Sequence, residues 1–355
     1  MLEDSEHLIK MGISRAIFNL IEQEKLFIHP DSYIGKIIGT VSFGNSSQNF
    51  NKLLALDISL DRLLNSEHFD WAKSKFIRLT QNIKSSNENL EVNSLFAAEI
   101  IAAGLLLAVF PETKPFYEFK CGNKSPDFIL GRNTYTEVYC PQKSKSELIK
   151  VENKLVEQNG FVKAVISYPL IGSDGQAKVY QTNKFIDKIL NKKRTIDQSI
   201  IGAENILWID LLNGFELSMK DTVPYTSINF AEHTFVGSLG VWHSFYGQKD
   251  VSLFAHERTD LKFSDSFCFY KQKRNGLFRE RPALSAAILF AVDGIAIFEN
   301  PWATVHLSMQ NKISIKKIFR FRPEYSYIEF SNQKLLISQV EEILLKIQKL
   351  YQNEA

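Results

Sequence analysis

The sequence predicts an α/β protein in which a mixed sheet is flanked by helices and preceded by an N-terminal helical region. Apolar residues recur at helical spacing through the first part of the chain, as at Ile9, Ile13, Ile17, Leu20 and Ile21. From Ser94 onward, short strand-like runs alternate with longer helical patterns. Late in the chain, residues 284–298 form two apolar runs around Asp293-Gly294, as a core hairpin would.

In order, the spacing predicts a helix over 8–29, a break at Gly44-Asn45-Ser46-Ser47, and helices over Leu53–Leu64 and Trp71–Ile83. The polar stretch 84–89 marks a boundary, which divides the chain into a helical region (1–90), an α/β domain (91–330) and a C-terminal helix (331–355). The α/β domain opens with a helix at 94–109, followed by strands at Phe116–Lys120, Asp127–Leu130 and Tyr135–Cys140. A polar helix is expected from Ser146 to Gln158, with Gly160 as its C-cap, then a strand at Ala164–Leu170. A helix at Asn183–Lys193 and a buried strand at Ile206–Leu212 follow. Residues 213–282 are turn-rich and aromatic, and Leu335–Tyr351 is amphipathic. Ile313, Ile315 and Ile318 fit a half-buried strand, and Asn300-Pro301-Trp302-Ala303 a turn that closes the core.

A hydrophobic content of 45% and a charged content of 23% are those of an ordinary globular chain. The net charge of +2 excludes a polycation, so any nucleic-acid contact must come from local patches. Cys121, Cys140 and Cys268 are scattered and odd in number, which suits a reducing, cytoplasmic setting better than a disulfide or zinc framework. The acidic N-terminus lacks a secretory pattern, and the run Leu95–Phe110 is too short for a membrane span. Neither a dinucleotide-binding nor a P-loop glycine pattern is present.

Glu99 is the only charged residue between Glu91 and Glu112. A buried carboxylate is costly unless something positive meets it. Two further acids follow, in Pro126-Asp127-Phe128 and Glu137-Val138-Tyr139, on strands that flank Gly131-Arg132-Asn133. With those three residues as the loop, Asp127 falls opposite Glu137, where like charges repel. A Mg²⁺ or Mn²⁺ ion held by all three acids would reverse that sign. Solvated acids on an exposed face are the structural alternative.

Glu99 on a helix, then Pro126-Asp127 and Glu137-Val138-Tyr139, resembles the PD-(D/E)XK nuclease superfamily over residues 94–212. The resemblance implies a restriction-endonuclease-like core acting on DNA. It makes Glu99, Asp127 and Glu137 both catalytic and metal-ligating, with the Val138 carbonyl as a further ligand. The sequence departs from the pattern at Tyr139, where the superfamily carries a lysine. A phenol, with an ordinary pKa near 10, cannot supply that positive charge. Lys143 is the first choice for a displaced lysine, ahead of Lys120, Lys145 and Lys154. By the same analogy Lys188, Lys192, Lys193, Arg194 and Gln198 flank a substrate phosphate.

Basic clusters at 271–281 and 312–322 are further sites for phosphates, and also read as solvated faces. The rival to a nuclease is the same fold without catalysis, binding nucleic acid or protein. A protein partner would use the aromatics of 213–282, and the chain has room for a homodimer interface.

Overall fold

The computed structural model describes residues 15–42, 47–81, 87–115, 126–141, 153–158, 161–166, 187, 189–190, 199–213, 217, 219–222, 226–230, 233–237, 240–250, 254–256, 272–318 and 326–330. They belong to two units. One is drawn from 1–142, 192–219 and 281–333, the other from 143–191, 220–280 and 334–355. The helices of the region expected over 1–90 fall in the same unit as the main sheet. The N-terminal helices bury their apolar faces in the same core as the main sheet, because no single helix can cover its own apolar stripe.

Five helices open the first unit: α1 (Arg15–Gln23), α2 (Tyr33–Ser42), α3 (Ser47–Leu64), α4 (Phe69–Thr80) and α5 (Asn87–Leu107). The helix expected over 8–29 ends at Gln23, and Lys25 beyond it takes a left-handed φ of 51°. Helix α2 was not expected, since Gly35, Gly39 and several β-branched residues weaken its helical signal. The Ser32 hydroxyl caps it by accepting from the Gly35 N–H at 3.0 Å. Helix α5 is apolar nearly all round and is buried accordingly, from Ala97 and Ala98 to Leu105 and Leu106. Its Gly104 lets α3 approach so closely that the Ser59 hydroxyl donates to the Ile101 carbonyl at 3.3 Å.

The sheet behind these helices has seven strands: β1 (Lys114–Pro115), β2 (Phe128–Gly131), β3 (Thr134–Tyr139), β6 (Glu204–Asp210), β10 (Ala286–Phe290), β11 (Gly294–Glu299) and β12 (Ser326–Phe330). They lie side by side in that order. β1, β2 and β3 form an antiparallel meander; β6 lies parallel to both β3 and β10. β11 returns antiparallel to β10 through the hairpin expected at Asp293-Gly294, and β12 runs parallel to it. The class is therefore α/β with a mixed sheet, as the interleaved pattern predicts. Phe128, Leu130, Val138, Trp208 and Phe290 share one core with the helices. Trp71 of α4 packs edge-on to Phe128, with ring centres 5.9 Å apart.

Two other elements differ from expectation. Residues 309–316 form α8, a helix rather than a half-buried strand, capped by the Ser308 hydroxyl. Helical rotation buries Ile315 and Ile318 and leaves Ile313 half exposed, a pattern that three isoleucines alone do not distinguish from alternation. The segment expected to end a polar helix at Gln158 is strand β4 (Asn153–Gln158), paired antiparallel with β5 (Phe161–Ile166). Only Asn159 and Gly160 separate the two, a dipeptide that favours a tight hairpin over a helix cap.

The second unit contains that hairpin, a sheet of β7 (Thr226–Phe230), β8 (His233–Gly237) and β9 (Phe254–His256), and helices α6 (Val241–Tyr246) and α7 (Leu277–Glu280). Trp242, Phe245 and Tyr246 are buried here, with the Phe278 ring tilted against Phe245 and edge-on to Tyr246. These three aromatics are core rather than surface; Phe215 and Tyr225 of the expected group lie outside the described residues. The strand expected at 116–120 and the helix at 335–351 also lie outside them. Among the described residues no helix is long and apolar enough to cross a membrane.

Candidate functional site

The β2–β3 hairpin carries the site. Phe128 pairs with Thr136 and Ile129 with Tyr135, so the register carried one residue further sets Asp127 across from Glu137 as the sequence predicts. The turn is tighter than expected: Gly131 pairs with Thr134, and a bulge at Leu130 absorbs the extra residue. The Asp127 carboxylate accepts a hydrogen bond from the Val138 N–H at 2.7 Å and so ties β3 to the start of β2. Residues of β3 alternate between the buried face and a half-exposed one. Glu137 and Tyr135 share the half-exposed face and line a small concavity with Pro126, Ser199, Asn205, Ile206 and Leu284. Asn205 is rigid there, its side-chain amide donating to the Ile200, Ala203 and Ala283 carbonyls at 2.9–3.0 Å.

Glu99 stands elsewhere. It is 8% exposed on α5, which packs on the face of the sheet occupied by Phe128 and Val138. Glu137 alternates to the other face, and the three acids do not gather: among the described residues no group of three His, Cys, Asp or Glu side chains could hold a metal ion. The positive partner that the buried carboxylate demands is instead Lys75 of α4, whose ammonium donates to Glu99 Oε2. Lys75 also lies 5.3 Å from the Trp71 ring centre and 4.7 Å from that of Phe96. The single-ion reading of Glu99, Asp127 and Glu137 is thereby corrected to an acid pair on the hairpin and a separate ion pair between helices.

Lys143, Lys188, Lys192, Lys193, Arg194 and Gln198 lie outside the described residues, as do Lys120 and Lys145. Of the other basic clusters, Arg274 stands 4.0 Å from the Asp187 carboxylate, and Lys312 pairs with Glu299 at 2.5 Å.

One ionisable group was missed from sequence. Asp210, at the carboxyl end of β6, is fully buried, and burial lifts its carboxyl to about 6. Hydrogen bonds from the Asn213 N–H and side-chain amide, both 2.7 Å, and the charge of Lys52 oppose that rise. Tyr33 of α2 donates to the same Asn213, so helix and sheet meet at this carboxylate. A raised folded-state pKa means that the folded protein holds the proton more tightly than the unfolded chain. The contribution is full below the unfolded value near 3.9 and is lost as pH rises through about 6. Between about pH 4 and pH 7 this residue should remove roughly 3 kcal/mol of stability. Urea titrations of wild type and Asp210→Asn across that range isolate its share as their difference; parallel curves would refute it.

No family model, curated protein or solved structure matches this chain.

Proposed function

We propose that the protein is a PD-(D/E)XK-type, restriction-endonuclease-like nuclease that hydrolyses phosphodiester bonds in DNA, acting in the cytoplasm. The observation that carries this reading is the order of elements around the acids. A buried helix, α5, leads into the meander β1–β2–β3, and β6 then lies parallel to β3, with Asp127 and Glu137 in register across the hairpin.

Two carboxylates on adjacent strands fit Mg²⁺ or Mn²⁺, since such ions take one or two carboxylates and keep several waters. Asp127 and Glu137, with the Val138 carbonyl, would hold the ion. When bound it supplies an acidified water and offsets charge on phosphate. The chain's own part is positioning. The Asp127 bond to the Val138 N–H locks β3 in register and fixes the strand that presents Glu137. Tyr139 stands two residues beyond Glu137, on the same half-exposed face, and offers a neutral hydroxyl where a lysine would place a charge.

A second reading is a binding module of the same fold without hydrolysis. It is favoured by Tyr139 and by Glu99, whose charge is committed to Lys75. Supercoiled plasmid incubated with Mg²⁺ or Mn²⁺ separates the two. The nuclease reading expects nicking by wild type and a loss of about a hundredfold or more in Glu137→Ala. Calorimetry should show Mn²⁺ uptake that Asp127→Ala abolishes. DNA binding with neither cleavage nor Mn²⁺ uptake selects the binding module.

A further inference from the structure

Three turns, at 131–133, 200–203 and 281–285, stand side by side where the parallel strands β3, β6 and β10 begin. Hydrogen bonds join each turn to the next. The Asn133 side-chain amide donates to the Gly202 carbonyl, and the Glu204 N–H to the Asn133 carbonyl, both at 3.0 Å. The Asn205 side-chain amide donates to the Ala283 carbonyl at 3.0 Å, and the Ser285 N–H to the Asn205 carbonyl at 2.8 Å. The middle turn is also closed on itself. Its Ala203 N–H donates to the Ile200 carbonyl at 3.3 Å, and Gly202 takes the positive φ of 76° that the bend requires.

One side chain from each turn is exposed: Arg132, Ile201 and Arg281, with Ile201 at 90%. Single exposed apolar residues are ordinary. Ile201 differs because its turn is pinned on both sides and cannot fold it back onto the protein. Among the described residues neither guanidinium has a hydrogen-bond or ion-pair partner. Glu204, the acid at the start of β6, is already engaged, accepting from the Ser308 N–H at 3.2 Å and the Asn311 amide at 2.7 Å. Two unanswered cations therefore flank a fixed apolar tip.

Adjacent strands lie about 4.8 Å apart, so the turns of β3 and β10 are roughly 10 Å apart with that of β6 between them. A DNA minor groove is about 6 Å wide and runs between two rows of phosphates. An arginine toward each row and an isoleucine over the floor match that cross-section, and apolar side chains of this kind wedge between base steps. The same turns border the acid. Tyr135, Ser199, Asn205 and Leu284, each in a turn or within two residues of one, line the concavity that Glu137 also lines.

We propose that Arg132, Ile201 and Arg281 grip duplex DNA beside that concavity, the arginines on the two phosphate rows and Ile201 in the minor groove between them. This rests on DNA being the substrate, and not on hydrolysis. Spacing could not reveal the set, because its members come from three separate parts of the chain.

The test is fluorescence polarisation of the full chain with a labelled duplex and a labelled oligo-dT, titrated from about 50 to 200 mM salt. Arg132→Gln/Arg281→Gln is expected to weaken duplex binding about tenfold at low salt and to flatten the salt slope by about 1.8, at about 0.9 per phosphate contact. Ile201→Ser is expected to weaken it about threefold with the slope unchanged, since a groove contact releases no counterions. Glu280, exposed beside Arg281 in the chain, opposes phosphate, so Glu280→Gln should tighten binding. Lys25→Gln, which removes an exposed cation from another turn, should leave affinity and slope near wild type. Duplex binding that survives the double variant, or that Lys25→Gln weakens as much, would overturn the grip and leave DNA as the substrate. Tighter binding of oligo-dT than of duplex would overturn the groove assignment. No binding of either at low salt would overturn the grip together with the DNA reading.

Discussion

Lys75→Met should lower the unfolding free energy by about 2–3 kcal/mol, because it strands the Glu99 carboxylate inside an apolar helix. Fully buried pairs lose more when one partner is removed. Here the side chains of Lys75 and Glu99 keep 19% and 11% of their surface, which admits some water and reduces the cost. Lys75→Met/Glu99→Leu should recover to within about 1 kcal/mol of wild type, since two apolar groups in contact need no charge compensation. Urea unfolding followed by circular dichroism reads all three proteins. A single variant as stable as wild type would show that Glu99 has another partner. The same pair separates the roles of the acids. Glu99→Gln should leave Mn²⁺ uptake at the hairpin unchanged, whereas Glu137→Ala should remove it; parallel losses would return Glu99 to the metal site.

Gly104→Ala should destabilise by about 2–3 kcal/mol, against the direction of helix propensity. Alanine is intrinsically better than glycine in a helix by about 1 kcal/mol. A Cβ at 104, however, would stand 2.5 Å from the Ser59 Cα and 2.6 Å from its carbonyl oxygen, and that backbone belongs to α3. Relief requires the two helices to separate, which opens the core that α5 fills. Gly39 in α2 is the control: a Cβ there meets nothing within 4 Å, so Gly39→Ala should gain about 0.5–1 kcal/mol. Thermal melts of the two variants should shift in opposite directions. A shift of the same sign in both would show that propensity, not helix contact, decides at 104.

The acid pair on the hairpin was legible because it depends on local geometry. Side chains of a strand alternate with period two, and a short loop sets which residues face each other. The tighter turn and its bulge left intact the Phe128–Thr136 pairing that an Asp127–Glu137 register requires. The burial of α5 was legible for the same reason, since a helix apolar all round has only one comfortable place. Short segments were misread where two periodicities fit equally well, as in the isoleucines of α8 and the polar run that became β4.

The sequence by itself determined that Glu99, once buried, required a positive partner, and that Asp127 and Glu137 would stand opposite each other. Only the tertiary structure decided that the partner is a lysine on the neighbouring helix, 24 residues earlier, rather than an ion shared with the hairpin. It likewise brought Tyr33 to Asn213 and thereby to Asp210, across 180 residues. The physical reason is one of range. Periodicity and turn chemistry act over a few neighbouring residues, whereas the partner of a buried charge depends on which faces of distant helices and strands are packed together.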